Sequence, residues 1–191
     1  MSADQVMHIA GGLWGVLGIL WLAASFTNKQ AARTQAKQSR LLQIGLGVLA
    51  YWLMLSSYVP VPILNTRLIP STPSVLGAGL SLTVAGLAFA AWARLYIGRN
   101  WSAAVQVKQS HELITGGPYS LVRHPIYSGL LLAFAGTGLV FGEGRSVAAF
   151  ILLAGSWWAK LRLEEQFMTQ EFGSAYQLYR QRTKALVPWV L

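Results

Sequence analysis

The sequence predicts an all-α integral membrane protein with about five transmembrane helices. Hydrophobic residues make up 54% of the 191 residues and charged residues only 11%, against roughly 25% in an average soluble domain. The apolar residues form five runs without a charge, and most basic residues fall between alternate runs. This composition argues against a water-soluble fold and excludes a disordered chain, which needs low hydrophobicity.

The first three runs are long enough to span a bilayer. Residues 6–26 form a run of 21 residues, and a helix of that length covers about 31 Å, which matches the hydrocarbon core. Residues 41–59 and 75–93 form two further runs of 19 residues each. The intervening residues 60–74 contain four prolines, which forbid regular helix and predict an extended or turning external loop.

Two shorter runs follow, residues 126–141 and residues 147–159. Runs of this length are compatible with spanning, re-entrant or buried helices. The tight link Gly142-Glu143-Gly144-Arg145 joins them as a helical hairpin. They are predicted to be the fourth and fifth membrane helices.

The basic residues predict the orientation of the chain. If all five runs span the membrane, 13 of the 15 Lys and Arg residues lie on one side, and Arg67 and Arg145 lie on the other. The positive-inside rule places the larger group, and with it the C-terminus, in the cytoplasm. On such a hydrophobic chain the net charge of +9 favours anionic membrane lipids, and no nucleic-acid partner is expected.

Several kinds of site are excluded by the residues that the chain lacks. Cysteine is absent, which excludes disulfides, zinc–cysteine sites, iron–sulfur clusters and thiol nucleophiles. The sequence has no G-x-S-x-G elbow and no phosphate-binding or dinucleotide glycine fingerprint. The spacing of His and acidic residues fits no metal site, so no metal is expected.

Polar residues suited to chemistry are concentrated after residue 96, and one group surrounds Pro125. Proline restricts the preceding His124 to extended backbone and can begin a helix. Arg123 and His124 are therefore predicted at a helix N-terminus, where free N–H groups favour an anionic ligand. Interfacial anchoring is the alternative explanation for both side chains.

A second charged cluster follows the fifth run and consists of Lys160, Arg162, Glu164 and Glu165. Lys160 and Glu164 are four residues apart and would be neighbours on a helix. A solvated helix end is the simplest interpretation of such a cluster. It is predicted, however, at the same membrane boundary as the Arg123–His124 pair, so the two groups could together hold a zwitterionic ligand.

Five motifs in the C-terminal half carry a family resemblance. They are Gly98-Arg99-Asn100-Trp101-Ser102, His111-Glu112-Leu113-Ile114, Gly116-Gly117-Pro118-Tyr119, Arg123-His124-Pro125-Ile126-Tyr127-Ser128-Gly129, and Glu164-Glu165 followed by Phe172-Gly173, Tyr176 and Tyr179. In this order and spacing they resemble the isoprenylcysteine carboxyl methyltransferases and their prokaryotic relatives. The resemblance covers about half of the chain.

The resemblance implies an integral membrane enzyme that uses S-adenosyl-L-methionine and releases S-adenosyl-L-homocysteine. Residues 1–96 would form the first three helices and residues 97–191 the methyltransferase region, in one structural domain. The implied acceptor is a lipid-like or prenylated molecule that is methylated on a carboxylate at the cytoplasmic face. The expected location is a bacterial inner membrane.

The resemblance also assigns roles by position. The implied cofactor-binding residues are Gln106, His111, Glu112, Leu113, Ile114, Tyr119, His124, Pro125, Ile126, Tyr127, Glu164 and Glu165. Lys160 stands where the family has a substrate-contacting arginine, so it keeps the charge but loses the bidentate fork, for which Arg162 could compensate. Arg123 suits the cofactor carboxylate. Lys160, Arg123 and Arg162 are thus the expected catalytic residues.

Three alternatives remain open at the level of the sequence. A phospholipid N-methyltransferase would need a base for its amine acceptor, and Glu165 is the obvious candidate. A membrane sterol or enone reductase is less similar, because such enzymes carry asparagine where this chain has Ile126. A non-catalytic membrane scaffold would bind no cofactor and would tolerate changes at His124 or Glu164.

Overall fold

The computed structural model describes residues 2–26, 31–34, 36–56, 59–101, 106–108 and 112–190. Within these residues the fold is carried by six α-helices: α1 (Ala3–Ser25), α2 (Lys37–Leu55), α3 (Pro73–Ile97), α4 (Pro125–Phe141), α5 (Gly144–Phe172) and α6 (Ser174–Arg182). The prediction of an all-α membrane fold is confirmed, since each of the five apolar runs forms a helix.

Three helices in the described part of the chain are long and apolar enough to cross a membrane. They cover Ala3–Ala24, Pro73–Asn100 and Gly144–Phe172. Helix α4 is apolar but has only 17 residues, and α2 begins with a charged residue, Lys37. The helical character of all five runs is therefore established, while the count of five spans stays a prediction.

Helix α5 is much longer than its apolar run. It has 29 residues and ends at Phe172, before Gly173 with φ 53°, whereas the apolar run ends at residue 159. The cluster that contains Lys160 and Glu164 therefore lies inside the helix and not after it. The apolar run marks only the part suited to lipid, because a helix can continue into water on the strength of its packing.

Helix α4 begins at Pro125 as predicted, but His124 does not have the extended backbone that the sequence analysis expected. Pro125 is the first helical residue, and His124 before it has non-helical backbone at φ −123° and ψ 60°. The described residues of the loop between α2 and α3 include a short 3₁₀ turn at Pro62–Asn65 and no α-helix, which fits the proline content of the loop. At the other end of α4, Gly142 adopts the left-handed conformation that a sharp turn into α5 requires.

Glycines bring α3 and α4 into direct backbone contact. A Cβ atom placed on Gly86 would lie 2.4 Å from the carbonyl oxygen of Gly129 and 2.4 Å from the amide nitrogen of Ala133. A Cβ on Gly136 would lie 2.5 Å from the amide nitrogen of Thr83. The two helices run antiparallel, so this contact fixes the beginning of α4 beside the end of α3.

Helix α5 packs on the other side of α4 and against α2. Met54 of α2, Phe134 of α4 and Leu153 of α5 are buried together in one apolar cluster. The indole of Trp14 in α1 donates a hydrogen bond to Thr137 in α4 at 3.0 Å. In the resulting bundle α4 lies between α3 and α5. The first turn of α4 lies beside the end of α3 and beside the part of α5 where its apolar run ends.

A two-stranded antiparallel ribbon is the feature that the sequence analysis missed. Strand β1 (Ala31–Thr34) pairs with β2 (Gln106–Lys108), and Thr34 lies opposite Gln106. Strands of four and three residues are too short to show a recognisable alternating pattern. The ribbon connects the segment after α1 to the segment between the first and second resemblance motifs.

Candidate active site

A cavity of about 340 Å³ lies where α3 ends, α4 begins and α5 leaves its apolar part. This volume is within the range of small-molecule sites. Nine of the twelve predicted cofactor-binding residues line it: Glu112, Leu113, Ile114, Tyr119, His124, Pro125, Ile126, Tyr127 and Glu164. Two of the three predicted catalytic residues, Lys160 and Arg123, line it as well.

The imidazole of His124 lies between the two glutamates of α5. Its Nδ1 is 3.5 Å from Glu164 Oε2, and its Nε2 is 3.4 Å from Glu165 Oε1. Burial alone would lower the pKa of His124, but the two carboxylates outweigh it and raise the pKa above its ordinary value. The ring also stacks on Tyr127, with centroids 5.7 Å apart, so its orientation is fixed from several sides.

Glu164 presents a carboxylate to the cavity. Its Oε1 accepts a hydrogen bond of 2.7 Å from the Tyr127 hydroxyl, and its side chain retains 22% exposure. Lys160, one turn earlier on α5, is close enough for its charge to act on this carboxylate. Glu164 is therefore an oriented acid in a mostly apolar cavity, the arrangement that suits a cationic ligand group.

Glu165 is adjacent to Glu164 in sequence, but its carboxylate pairs with two arginine side chains. Its Oε1 accepts from Arg123 Nε at 2.7 Å and lies 2.5 Å from Arg123 Nη2. Its Oε2 is 3.5 Å from Arg180 Nη2 on α6. Glu165 is not among the described residues that line the cavity, so it supports Arg123 from behind and holds α6 against α5.

Arg123 also donates hydrogen bonds to the end of α6 and to the segment that follows it. Its guanidinium donates to the carbonyl oxygens of Thr183 and Arg180, and its backbone N–H donates to the carbonyl of Lys184 at 2.8 Å. The backbone N–H of His124 donates to the carbonyl of Ala185 at 3.0 Å. The free helix N-terminus expected at this point is thus partly occupied by the chain's own C-terminal segment.

Lys160 and Arg162 of α5 differ in their position relative to the cavity. The ammonium of Lys160 lies 5.5 Å from the centroid of the Tyr127 ring, at the cavity wall. Arg162 is exposed, its guanidinium lies 5.8 Å from the Trp158 ring, and it is not among the described lining residues. Two residues away on a helix is about 200° around the axis, so Arg162 faces away from the cavity.

Two predicted cofactor-binding residues lie wholly or partly outside the described part of the structure. His111 lies outside the described residues, and of Gln106 the backbone is described, as the first residue of β2. Their roles stay predictions from the resemblance.

Sequence reasoning assigned no role to several aromatic residues that line the cavity. These include Trp21 of α1, Trp157 and Phe167 of α5, and Tyr176 and Tyr179 of α6. The positions on α5 follow the spacing of one helical face from Lys160 and Glu164, so a longer predicted helix would have identified them. No sequence signal identifies Trp21, which reaches the cavity only because α1 packs against α3 and α4.

Comparison with known proteins agrees with this arrangement. The sequence model of the phospholipid methyltransferase family matches residues 75–175, which is more than half of the chain and includes most of the cavity lining. The chain belongs to this family. The matched stretch begins within α3 and ends within α6.

Among the curated relatives of this family member are two plant proteins. Protein-S-isoprenylcysteine O-methyltransferase B of Arabidopsis thaliana is 31% identical over 115 residues, covering 59% of this chain and 58% of the relative. A probable protein-S-isoprenylcysteine O-methyltransferase of Oryza sativa subsp. indica is 32% identical over 115 residues, covering 59% and 60%. The chain therefore spans about three fifths of the length of these relatives.

A solved structure shares the fold. The eukaryotic intramembrane Ras methyltransferase ICMT matches with a TM-score of 0.54 and 20% sequence identity, covering 83% of this chain and 55% of that chain. The structural match shows a shared fold, and the curated relatives confirm the resemblance to the isoprenylcysteine carboxyl methyltransferases that the motifs indicate.

Proposed function

We propose that this protein is a membrane methyltransferase that uses S-adenosyl-L-methionine to methylate a carboxylate on a lipid-like acceptor at the cytoplasmic face. The observation that carries the proposal is Glu164, an oriented carboxylate in an aromatic cavity at the end of the apolar bundle. Such a cavity combines a binding group for a charged cofactor with walls that adjoin lipid. The names of the relatives support the same reaction class.

The residues present fit the cofactor. Glu164 would hold its ammonium group through a charge-assisted hydrogen bond. The side chains of Tyr127, Trp157 and Tyr176 offer aromatic faces, which suit both a flat base and a sulfonium cation. Arg123 lines the same cavity and would act on the cofactor carboxylate, with Glu165 fixing its direction.

The chain's own contribution to catalysis is alignment and exclusion of water. When bound, S-adenosyl-L-methionine supplies an electrophilic methyl group. A carboxylate acceptor with a reference pKa near 4 is already ionised at neutral pH, so no general base is required. The aromatic lining keeps water away and holds the acceptor oxygen in line, which are the effects an in-line displacement needs.

The acceptor would approach from the bilayer. Trp21, Leu130 and Trp157 line the cavity from α1, α4 and α5, and these helices carry the apolar runs. Lys160, at the end of the apolar part of α5, would meet an acidic headgroup while its stem stays among apolar groups.

Phospholipid N-methylation is the second candidate, because the matching family is named for phospholipid methyltransferases. An amine acceptor has to lose a proton, and the sequence offers Glu165 as its base. Glu165 is paired with Arg123 and Arg180 and is not among the described residues that line the cavity. This pairing favours the carboxylate acceptor.

The test has two steps on the purified protein in lipid nanodiscs. Calorimetry with S-adenosyl-L-homocysteine measures cofactor binding, which we expect with one site per chain; absence of binding contradicts the proposal. Radiolabelled methyl transfer is then compared for a prenylated cysteine with a free carboxylate, its methyl ester and phosphatidylethanolamine. Transfer to the free acid alone supports carboxyl methylation, whereas transfer to the phospholipid establishes the second candidate.

A further inference from the structure

The last part of the chain is held tightly at one end and exposed at the other. We call residues 183–190 the C-terminal tail. Thr183 and Ala185 are each only 6% exposed, whereas Val187 is 47%, Trp189 89% and Val190 74% exposed. Large apolar side chains that project together from a protein surface mark a contact with another apolar phase.

The tail is attached where the apolar part of the bundle ends. The backbone N–H of His124 donates to the carbonyl of Ala185 at 3.0 Å, and the Ser128 hydroxyl donates to the carbonyl of Leu186 at 2.6 Å. Both donors belong to the beginning of α4, which is antiparallel to α3. The exposed residues 187–190 therefore follow immediately after an attachment at the predicted membrane boundary.

Other side chains at this end of the bundle have the character of a membrane interface. Trp92 and Tyr96 near the end of α3 are 48% and 49% exposed, and Trp158 near the end of the apolar part of α5 is 38% exposed. Exposed Trp and Tyr residues at one level form the aromatic belt that is typical of membrane–water interfaces. Trp189 of the C-terminal tail is an exposed aromatic side chain of the same kind.

Basic residues accompany the exposed apolar ones. Arg180 and Arg182 lie in the last turn of α6, Lys184 follows in the tail, and all three are exposed. Apolar and aromatic side chains next to several cations are the combination that binds an anionic lipid surface.

We propose that the C-terminal tail docks into the interface of the bilayer that holds the helices. Val187, Trp189 and Val190 lie at the level of the headgroups and the upper acyl chains, and Arg182 and Lys184 contact anionic headgroups. The partner is therefore the anionic leaflet itself.

Docking acts on the candidate active site through the backbone. Carbonyl groups of Thr183, Lys184 and Ala185 accept hydrogen bonds from Arg123 and His124. A tail that is anchored in lipid keeps these acceptors in place, and so keeps Arg123 and His124 in position at the cavity. Lipid contact thereby stabilises the cavity without any residue of the tail's exposed part entering it.

The absence of cysteine from the sequence allows one unambiguous label. Trp189→Cys is labelled with a nitrobenzoxadiazole fluorophore and placed in nanodiscs of phosphatidylcholine and phosphatidylglycerol that contain a doxyl-lipid quencher. The control is Glu171→Cys, an exposed position about 16 Å further along α5 than Lys160. We expect a blue-shifted emission and strong quenching at position 189, and the emission of a water-exposed label at position 171.

Equal, weak quenching at both positions overturns the proposal. A second variant tests the headgroup contact. Quenching at position 189 should increase with the fraction of phosphatidylglycerol, and Arg182→Gln with Lys184→Gln in the Trp189→Cys background should remove that increase; an unchanged increase overturns this part of the proposal. These measurements need neither cofactor nor acceptor. Their failure is therefore distinguishable from failure of the proposed function, which the binding of S-adenosyl-L-homocysteine tests.

Discussion

Glu164 and Glu165 share a peptide bond but face different surroundings. The carboxylate of Glu164 lines the cavity and accepts from Tyr127, while that of Glu165 is paired with Arg123 and Arg180. Consecutive residues on a helix are about 100° apart, which is enough to place one in the cavity and the other behind it. The same residue type therefore lines the cavity at one position and supports Arg123 at the next.

We expect Glu164→Gln to weaken binding of S-adenosyl-L-homocysteine more than Glu165→Gln. Loss of a charge-assisted hydrogen bond costs about 1.5–3 kcal/mol, or about 10- to 150-fold in affinity. Glu165→Gln should instead lower the thermal midpoint, because it leaves the buried Arg123 without its carboxylate. Calorimetry and thermal unfolding of both variants separate the two roles, and equal, small effects on affinity would argue that the pair is only a charged helix surface.

Lys160 is expected to act on the acceptor. Lys160→Ala should raise the acceptor KM or lower kcat and leave the affinity for S-adenosyl-L-homocysteine nearly unchanged, because Lys160 lines the cavity at the end of the apolar part of α5, where the acidic headgroup of the acceptor would enter. Lys160→Arg should be tolerated, since it keeps the charge and adds a bidentate fork.

The matched control for Lys160 is Arg162→Ala, which removes an exposed cation from the same helix and should change neither constant. The competing account is that Lys160 only supports Glu164 as its i,i+4 neighbour, an effect of about 0.2–0.5 kcal/mol. A change confined to the cofactor affinity of Lys160→Ala would favour that account.

His124 makes stability depend on pH. Because the two carboxylates raise its pKa in the folded state, the protonated imidazole stabilises the fold. This contribution is complete below the ordinary pKa of about 6.5 and is lost as the pH rises through the folded-state value. The thermal midpoint of the cofactor-free protein should therefore fall as pH is raised above about 6.5.

His124→Gln should lose much of this slope, because glutamine does not titrate. The measurement is the difference in thermal midpoint between the two proteins from pH 6 to pH 9. Parallel curves over that range would show that another group is responsible for the pH dependence.

At the scale of the helices, the α3–α4 contact decides where the cavity lies. Gly86→Ala places a methyl group 2.4 Å from two backbone atoms of α4, so the helices have to separate. Overpacking of this kind costs about 1–3 kcal/mol. We expect a lower thermal midpoint and weaker cofactor binding, since α4 carries His124 and Tyr127.

Gly77→Ala is the matched control on the same helix. A Cβ at Gly77 meets nothing within 4 Å, so this variant should unfold at the wild-type temperature. If both substitutions lowered the midpoint equally, loss of glycine flexibility and not the close approach would explain the effect.

The length of α5 has a similar consequence for the site. Trp157, Lys160, Glu164 and Met168 line the cavity because a continuous helix repeats its face at intervals of three and four residues. The apolar stretch of α5 and the charged stretch that follows it form one continuous helix, Gly144–Phe172. This helix carries residues of the site beyond the end of the apolar run.

For the whole molecule, the charge distribution predicts five spans with the N-terminus outside. Cysteines introduced at Ser2 and at Ser39 should then be labelled by a membrane-impermeant reagent from opposite sides of sealed vesicles. The physical reason is that cationic segments remain on the cytoplasmic side during insertion. Labelling of both positions from the same side would contradict the five-span topology.

The sequence alone determined the membrane class, the five helical runs and the beginning of α4 at Pro125. These features depend on local properties: apolar length, proline geometry and motif spacing. The predicted helical hairpin placed the Lys160–Glu165 cluster at the same boundary as Arg123, and the family resemblance supplied eleven of the residues that line the cavity.

Only the tertiary structure decided which of these residues face the cavity. Glu164 and Lys160 line the cavity, whereas Glu165 and Arg162 are not among the described lining residues. The rotation of α5 relative to α4 decides which of these side chains face the cavity. The packing of α1 places Trp21 in the cavity wall, although Trp21 is distant in sequence from the other lining residues. The backbone N–H groups of Arg123 and His124 donate hydrogen bonds to carbonyl groups of the C-terminal tail. Such outcomes depend on contacts between segments far apart in the chain, which carry no local signal in the order of the residues.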